Sequence, residues 1–206
     1  MLKIGLTGGI ASGKSVVGEM FVALGAHLIQ ADRVAHELMQ PGQSVYDGVV
    51  SHFGGGILDP DGSINRAKLA QAAFGTALAG ASRIEELNHI VHPAVVRQQD
   101  EWMEEIARRY PQGVAIVEAA LILEAGAADH FDRLIVVTCA EDQRAERFAA
   151  RQNLPLEEAR KEVARRMAAQ LPDAEKIKAA HYVIDNSGPL EKTRAQVGRI
   201  WRDLSK

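Results

Sequence analysis

The amino-acid sequence predicts an α/β fold built on a five-stranded parallel sheet, and three observations indicate it. Short apolar runs alternate with segments of helical periodicity, which is the pattern of strands joined by crossover helices. The first run leads through a glycine-rich loop directly into a helix-like segment. With 206 residues, 47% of them hydrophobic and 25% charged, the chain is long enough for one such core with a smaller insertion.

The glycine-rich loop follows the predicted strand Leu2–Thr7 and spans residues 8–15, whose letters GGIASGKS fit the pattern G-x-x-x-x-G-K-[ST]. Its glycines allow turns in which N–H groups point inward around a phosphate, and the helix behind adds its positive dipole end. Lys14 can then reach the β- and γ-phosphates, and the Ser15 hydroxyl can ligate Mg²⁺. A plain connecting turn is the alternative, but all four fixed positions rarely coincide by chance. The predicted nucleotide-binding residues are Gly8, Gly9, Ala11, Ser12, Gly13, Lys14, Ser15 and Val16.

The next predicted elements lead to an acidic candidate. A helix from Ser15 to Leu24 precedes a strand over 26–30, and Asp32 follows that strand. Ligands of open parallel sheets bind beyond the carboxyl ends of the strands, so Asp32 is expected to accept a proton or help to hold Mg²⁺. Alternatively, Asp32 is only the N-cap of a helix over 33–40. His36, one turn later on the same face, either neighbours the site or is a surface histidine.

Residues 41–110 differ in composition from the flanking segments, because turn signals at 54–56 and 59–62 interrupt mostly helical periodicity. This is more chain than a crossover between strands requires, so we predict a helical lobe over the substrate. Arg66 follows the second turn and is either an anion ligand or a surface residue. The dipeptide His92-Pro93 is predicted to divide one helix from the next.

Three further strands are predicted over 113–118, 133–138 and 182–185. Glu118 ends the first of these, where it either lies near Mg²⁺ and its waters or caps a helix. Cys139, the only cysteine, follows the second and is expected to be a small buried thiol. A single cysteine excludes an intramolecular disulfide and a cysteine-cluster metal site.

A charge-rich helical stretch over 141–180 precedes an amphipathic terminal helix from Pro189 to Leu204. Most charged residues of such a stretch are solvated helix surface. In phosphoryl transfer, however, arginines on a mobile helical lid can neutralise the transferring group, and one or two of the arginines here are expected to do so. The arginines of the stretch are Arg144, Arg147, Arg151, Arg160, Arg165 and Arg166.

The net charge of −3 gives no overall electrostatic reason to expect binding to nucleic acid or to an anionic membrane. Any basic site must therefore be local. The N-terminal apolar run is too short for a signal peptide, and no segment reaches membrane-spanning length, so the protein is expected in the cytoplasm.

Several motifs together resemble the dephospho-CoA kinases of the stand-alone bacterial type, and the resemblance covers nearly the whole chain. The phosphate loop is similar to that of the family, and so is the dipeptide Ala31-Asp32 followed by a helix. More specific motifs lie outside the loop, in the predicted lobe, lid and closing segment. They are residues 61–66 with Leu69 and Phe74, residues 87–93, the spacing of Gln143, Arg147 and Arg151, and Lys176 with residues 184–188.

The resemblance implies a three-layer P-loop kinase fold that transfers the ATP γ-phosphoryl group to the ribose 3′-hydroxyl of dephospho-CoA. It implies ATP, Mg²⁺ and dephospho-CoA as ligands, and no nucleic acid, membrane or obligate protein partner. On this basis Asp32 activates the hydroxyl, while Lys14 and Arg147 stabilise the transferring charge and Asn186 lies near adenine. The substrate-binding residues would be Asp32, His36, Arg66, His92 and Glu118. The expected parts of this single domain are a core (about 1–40, 112–140 and 180–206), a substrate-binding lobe (about 41–111) and a lid (about 141–179).

The chain departs from the family pattern at three places. The run after the third predicted strand lacks the family's proline, His181 replaces an aspartate, and His36 stands where an arginine is expected. A nucleoside-monophosphate kinase or other metabolite kinase would share the loop and lid but differ in the lobe. A nucleotide-dependent switch or ATPase is a further alternative, although the guanine-reading N-K-x-D and a clear hhhhD-E pair are absent from the sequence.

Overall fold

The computed structural model describes residues 1–74 and 83–205. The chain forms two compact units, one of residues 1–29 and 105–206 and one of residues 30–104. The predicted lobe range of 41–111 therefore includes residues 75–82, which lie outside the described residues. The division of the chain into core, lobe and lid stays a prediction.

A five-stranded sheet with the order β2-β3-β1-β4-β5 forms the centre of the first unit. Strand β1 pairs in parallel with β3 and β4, and β4 pairs in parallel with β5. The predicted α/β fold with a parallel sheet is confirmed. The strands are β1 Leu2–Thr7, β2 His27–Gln30, β3 Val114–Glu118, β4 Arg133–Thr138 and β5 Tyr182–Asp185.

Helices follow β1, β2, β4 and β5 as the alternating sequence pattern predicts, whereas only a short 3₁₀ turn, Ala128–His130, lies between β3 and β4. The charge-rich stretch forms three of them, and the last helix ends at the predicted residue. In the described part of the chain the helices are α1 Lys14–Val22, α2 Ala31–Leu38, α3 Tyr46–Phe53, α4 Arg66–Phe74, α5 Ile84–Arg109, α6 Glu141–Gln152, α7 Leu156–Ala168, α8 Asp173–Ala179 and α9 Leu190–Leu204.

The main core of the first unit lies between the central strands and helices α1 and α9. Phe21 of α1 and Val197 of α9 pack there against Ile4, Ile135 and Ile184, and all five side chains are buried. The apolar stripe predicted for the terminal helix is confirmed, because Trp201 and Leu204 pack against the same cluster. Burial of these residues holds β1, β4 and β5 in the core, and the phosphate loop follows β1 while Asn186 follows β5.

The second unit contains α2 to α4 and most of α5 around its own small core. Val45, Val49, Ile57 and Leu69 are buried there. The predicted turn at 59–62 is present, closed by an antiparallel bridge between Leu58 and Ile64. This unit thus has helical packing of its own, as the composition of the segment indicates.

Helices α1 and α2 each end two residues earlier than predicted, and two further predictions about helix ends are wrong. Helix α2 begins at Ala31, so Asp32 is inside its first turn and is not its N-cap. Helix α5 continues through Pro93, so the dipeptide His92-Pro93 does not separate two helices. Proline removes the hydrogen bond to the carbonyl of His89, but His89 and Pro93 are both exposed, so water can hydrate that carbonyl.

Candidate active site

The phosphate loop joins β1 to α1 and has the backbone that its sequence pattern predicts. Gly13 precedes α1 with φ of 93°, a conformation that favours glycine. Ala11 also has a positive φ of 54°, although it carries a Cβ atom. The Lys14 ammonium donates to the carbonyl oxygens of Gly8 at 2.9 Å and Gly9 at 3.2 Å. The lysine charge therefore lies against the loop, beside the first N–H groups of α1, where an anion is stabilised.

Gly9 is required for a different reason from the one the sequence indicates. We expected its backbone to adopt a turn closed to other residues, but its φ is not positive. Instead, a Cβ atom at Gly9 would lie 2.2 Å from Nη1 of Arg144. A side chain at this position would displace the buried Arg144 guanidinium from the loop.

Ser15 and Glu118 bring the start of α1 next to the end of β3. The Ser15 hydroxyl donates to Oε1 of Glu118 at 2.8 Å. Glu118 is the last residue of β3 and is only 8% exposed, and the turn that follows it contains no α-helix before α6. The alternative that Glu118 caps a helix is therefore wrong. A hydroxyl and a carboxylate here present hard oxygen ligands next to the phosphate loop.

Arg147 of α6 reaches the far end of the loop together with Asn186, which follows β5. Arg147 donates to the carbonyl oxygens of Asn186 at 2.8 Å and Ser12 at 3.5 Å. The Asn186 amide donates to the Ser12 carbonyl at 2.9 Å and accepts a bond from Thr193 at 2.9 Å. The Asn186 side chain is buried and holds the Ser12 end of the loop through this bond. The predicted contact between Asn186 and adenine stays a prediction.

Arg144 is the loop contact whose importance the sequence does not indicate. Its side chain is 1% exposed, its Nη1 donates to the Ile10 carbonyl at 2.9 Å, and its Nη2 forms an ion pair with Asp173 of α8. Arg144 lies three residues before Arg147 on the same helix, and that spacing was the one available signal. Arg199 and Arg202 have the same spacing, and both are exposed.

The predicted lid helices pack on the loop through apolar side chains. Ile10 forms a buried cluster with Phe148 of α6 and with Ala159 and Val163 of α7. Ala11 packs against the same cluster. Helices α6 and α7 are therefore in direct contact with the segment that precedes Ser12.

The other arginines of this stretch contact glutamates or an aromatic ring. Arg160 pairs with Glu157 on the surface of α7, while Arg165 and Arg166 both pair with Glu162. Hydrogen bonds from Arg165 and Arg166 hold the pKa of the Glu162 carboxyl at about 2. Arg151 lies over the ring of Phe148, with 5.7 Å between the guanidinium carbon and the ring centroid.

Buried polar contacts also fix the turn after β3. The Ala120 carbonyl accepts bonds from the Thr7 hydroxyl at 3.2 Å and from the Lys176 ammonium at 3.4 Å. Lys176, on α8, is completely buried and pairs with Glu124 at 2.8 Å. Lys176, one of the family-like residues of the closing segment, thus connects α8 to the turn that follows Glu118.

His181 extends the pairing of two strands, and Cys139 is a buried thiol beside the phosphate loop. The His181 backbone N–H donates to the Leu134 carbonyl at 2.9 Å, and its ring Nδ1 accepts from the Leu134 N–H at 3.0 Å. This exchange extends the pairing of β4 and β5 by one residue. The Cys139 thiol is buried as predicted, lies 3.7 Å from the Ala11 carbonyl, and has its pKa raised by burial.

The second unit carries four of the predicted substrate-side residues. Asp32 is exposed in the first turn of α2, and His36 on the same helix is half-buried beside Gln40. Arg66 is the exposed first residue of α4, and His92 is exposed on α5. The predicted roles of these residues toward the acceptor stay predictions.

In the part of the chain that the structure describes, no helix is both long and apolar enough to cross a membrane. No group of three or more His, Cys, Asp or Glu side chains among residues 1–74 and 83–205 could hold a metal ion. A metal at this site would need ligands from a nucleotide or water as well.

Residues 2–192 match the family model of dephospho-CoA kinase. A dephospho-CoA kinase of Corynebacterium efficiens is 39% identical over 99% of this chain and 98% of the relative. That of Geobacter sulfurreducens is 41% identical over 96% of each chain. These alignments extend through both units and are not confined to the phosphate loop.

Solved structures agree with this relationship at the level of the fold. The structure of TT1252 from Thermus thermophilus superposes with a TM-score of 0.77 and 27% identity, over 100% of this chain and 98% of that one. A shikimate kinase of Acinetobacter baumannii shares the fold with a TM-score of 0.51 and 13% identity, over 99% and 93% of the two chains. Because the family match covers residues 2–192, the chain belongs to the dephospho-CoA kinase family, which catalyses the final step of coenzyme A biosynthesis.

Proposed function

We propose that this protein transfers the γ-phosphoryl group of ATP to the ribose 3′-hydroxyl of dephospho-CoA, which gives CoA and ADP. The observation that carries the proposal is the loop of residues 8–15, which holds the Lys14 ammonium at the start of α1 and receives two arginines from α6. The Lys14 ammonium and the Arg147 guanidinium, beside backbone N–H groups, suit the phosphates of a nucleotide. Membership of the family supports dephospho-CoA as the acceptor.

Each part of the loop has a proposed role in holding ATP. The backbone N–H groups from Gly8 to Val16 donate to the β- and γ-phosphate oxygens, and Lys14 neutralises their charge. To do so, the lysine ammonium exchanges the loop carbonyls of Gly8 and Gly9 for phosphate oxygens. Asn186, through the Ser12 carbonyl, keeps the loop in shape.

Arg147 is the lid residue that we propose to contact the transferring group. It is half-buried at the Ser12 end of the loop, and its guanidinium donates to main-chain carbonyls, which a phosphate can replace. A guanidinium positioned before the reaction stabilises charge that develops on the equatorial oxygens of the phosphoryl group. Closure of the lid over the nucleotide would exclude water from that group.

The site also suits Mg²⁺, which we propose as the cofactor. Mg²⁺ prefers oxygen ligands and usually binds through one or two carboxylates, substrate phosphates and retained waters. Ser15 and Glu118, joined by a hydrogen bond of 2.8 Å, supply such oxygens. Ser15 would hold the ion directly and Glu118 its waters. When bound, Mg²⁺ would neutralise charge on the β- and γ-phosphates.

Asp32 is the proposed general base, because a carboxylate can accept the proton of the attacking 3′-hydroxyl. Its position inside the first turn of α2 leaves the carboxylate exposed and not used as an N-cap. We propose that His36, Arg66 and His92 bind the acceptor, with Arg66 as a ligand for its phosphate groups. A cytoplasmic location is part of the same proposal, because the reaction consumes ATP.

Production of CoA from dephospho-CoA tests the proposed function. The intact protein is incubated with ATP, Mg²⁺ and dephospho-CoA, and the products are identified by mass. CoA and ADP are expected in equal amounts. Phosphorylation of nucleoside monophosphates in a parallel reaction, without any CoA, would refute the proposed acceptor.

Asp32→Asn is expected to lower kcat by roughly 10²–10⁴, the usual contribution of a general base, while ATP affinity is retained. The amide is isosteric with the carboxylate but cannot take a proton at neutral pH. Initial rates of CoA formation and the affinity for ATP measured by calorimetry check both parts.

Asp47→Asn is the matched control, because Asp47 is an aspartate in the first turn of α3 in the same unit. It repeats the loss of one negative charge near a helix N-terminus. A kcat for Asp32→Asn equal to that of this control would remove Asp32 from the mechanism.

A further inference from the structure

Arg144 is a buried arginine whose contacts all converge on the phosphate loop or on the residue that holds it there. Its side chain is 1% exposed, and its Nη1 donates to the Ile10 carbonyl at 2.9 Å. The same nitrogen would lie 2.2 Å from a Cβ atom at Gly9. Its Nη2 pairs with Asp173, the first residue of α8.

A buried ion pair is a poor source of stability, because removing both charges from water costs about as much as their attraction returns. The Asp173 side chain is 31% exposed, so one end of the pair remains hydrated while the guanidinium does not. The buried Arg144 guanidinium is therefore better explained by the loop backbone that it holds in place than by a gain in stability. Here it contacts Gly9 and Ile10, directly before Ala11 with its positive φ.

The Gly9 carbonyl accepts bonds from the Lys14 ammonium at 3.2 Å and from the Ser12 N–H at 3.3 Å, and Arg144 adds a bond to the neighbouring Ile10 carbonyl. Ile10 packs against Phe148, Ala159 and Val163 through its side chain, which fixes the residue but not the direction of its carbonyl. The Arg144 guanidinium fixes the direction of the carbonyl, because its planar group can donate to the carbonyl and pair with the Asp173 carboxylate simultaneously. A lysine, with one compact ammonium group, cannot reproduce both directions.

We propose that Arg144, oriented by Asp173, is a positioning residue that sets the backbone of Gly9 and Ile10 for binding ATP. It acts through the loop and not on the phosphates, since its guanidinium is buried between the Ile10 carbonyl and the Asp173 carboxylate. Arg147 differs because it is only half-buried, with the Ser12 and Asn186 carbonyls and the Gln143 side chain as its partners. The proposal rests on the proposed function only in taking ATP as the ligand.

Substitution of both partners, separately and together, tests this role. Arg144→Lys is expected to raise the dissociation constant of a non-hydrolysable ATP analogue with Mg²⁺, and KM for ATP, by about tenfold or more, because small displacements of a positioned group are costly. KM for dephospho-CoA should not change. Asp173→Asn should cause a smaller increase, and the double variant should add little to Arg144→Lys alone.

The exposed pair of Arg160 and Glu157 on α7 supplies the matched control, since it is an arginine–carboxylate pair of the same lid region without a loop contact. Arg160→Lys and Glu157→Gln should leave analogue affinity and both KM values unchanged. Melting temperatures of all variants are measured beside the affinities, because a merely structural role would change only those temperatures.

Three results would overturn the proposal. The first is a lower melting temperature with unchanged analogue affinity, and the second is an increase in KM for dephospho-CoA alone. If Arg144→Lys does not fold, unchanged analogue affinity of Asp173→Asn is the third. Analogue binding is measured without acceptor, so a protein that binds the analogue but makes no CoA would refute the proposed function and leave this inference standing.

Discussion

Helices α6 and α7 each carry three arginines, but two of those on α6 have an environment different from that of the α7 arginines. Arg144 and Arg147 of α6 donate to carbonyl oxygens of the phosphate loop. Arg160, Arg165 and Arg166 of α7 instead pair with glutamates three or four residues away on their own helix. We therefore expect the arginines that donate to loop carbonyls, and not those paired within their own helix, to influence nucleotide binding or phosphoryl transfer.

The difference has a simple physical origin. An ion pair within one helix surface contributes little, because both charges stay hydrated and salt screens them. A guanidinium that donates to a buried carbonyl loses its hydration. Strong, well-directed hydrogen bonds must compensate for that loss, so the side chain is held in one geometry. Arg144 and Arg147 should therefore affect catalysis or ligand binding, and the α7 arginines only stability.

Arg147→Ala should have the largest effect of this comparison. We expect kcat to fall by roughly 10²–10³, the loss typical of one positioned donor to a transition state. The fold should remain, because the side chain is half-buried and Asn186 keeps its own bond to Ser12. Rates of CoA formation at saturating ATP and dephospho-CoA measure the effect.

Arg165→Ala removes an arginine of the same charge and length from α7, where its partner is Glu162. Its kcat should equal that of the unsubstituted protein. If the two alanine variants lost the same activity, lid arginines would act through net charge alone and the comparison between α6 and α7 would fail.

The elements on which this comparison depends were predicted with unequal success, for physical reasons. Strands β4 and β5 were predicted to the residue, because each is a short apolar run whose burial is a local property. The phosphate loop followed from its glycines and Lys14. The membership of the family was also indicated by sequence motifs and is confirmed by the match over residues 2–192.

Local rules failed where distant contacts or solvent decide the outcome. Pro93 is a helix-terminating signal, but an exposed helix face tolerates it. Arg144 could not be distinguished from Arg165, because its partners Ile10 and Asp173 lie 134 and 29 residues away in the sequence. Gly9 was explained by backbone freedom, whereas the structure attributes it to the side chain of Arg144.

Gly13→Ala disturbs the contact between Arg147 of α6 and the loop without changing a residue of α6. A Cβ atom at Gly13 would lie 2.1 Å from the Asn186 amide nitrogen, and the residue has φ of 93°. The amide must move, which breaks its bond to the Ser12 carbonyl and disturbs Arg147 beside it. We expect a loss of about 2–4 kcal/mol in the free energy of unfolding, measured by urea denaturation.

Gly126→Ala controls for backbone strain alone, because Gly126 has φ of 66° and a Cβ atom added there would meet nothing within 4 Å. It should cost about 1 kcal/mol, the usual penalty for a left-handed residue with a Cβ atom. Equal losses for the two variants would mean that the contact between Gly13 and Asn186 contributes nothing.

Glu162→Gln tests the α7 side of the comparison and should have the smallest effect. Its partners Arg165 and Arg166 lower its folded pKa from the usual 4.5 to about 2. Because the folded pKa is the lower one, the ionised pair stabilises the protein above about pH 4.5, and this contribution disappears as the pH falls toward 2. The variant should therefore lose about 0.5 kcal/mol near neutral pH and match the unsubstituted protein near pH 2. Unfolding free energies at several pH values and kcat near pH 7 measure both. A lower kcat without a change in stability would show that α7 takes part in the reaction and that burial of an arginine is not the property that separates the two helices.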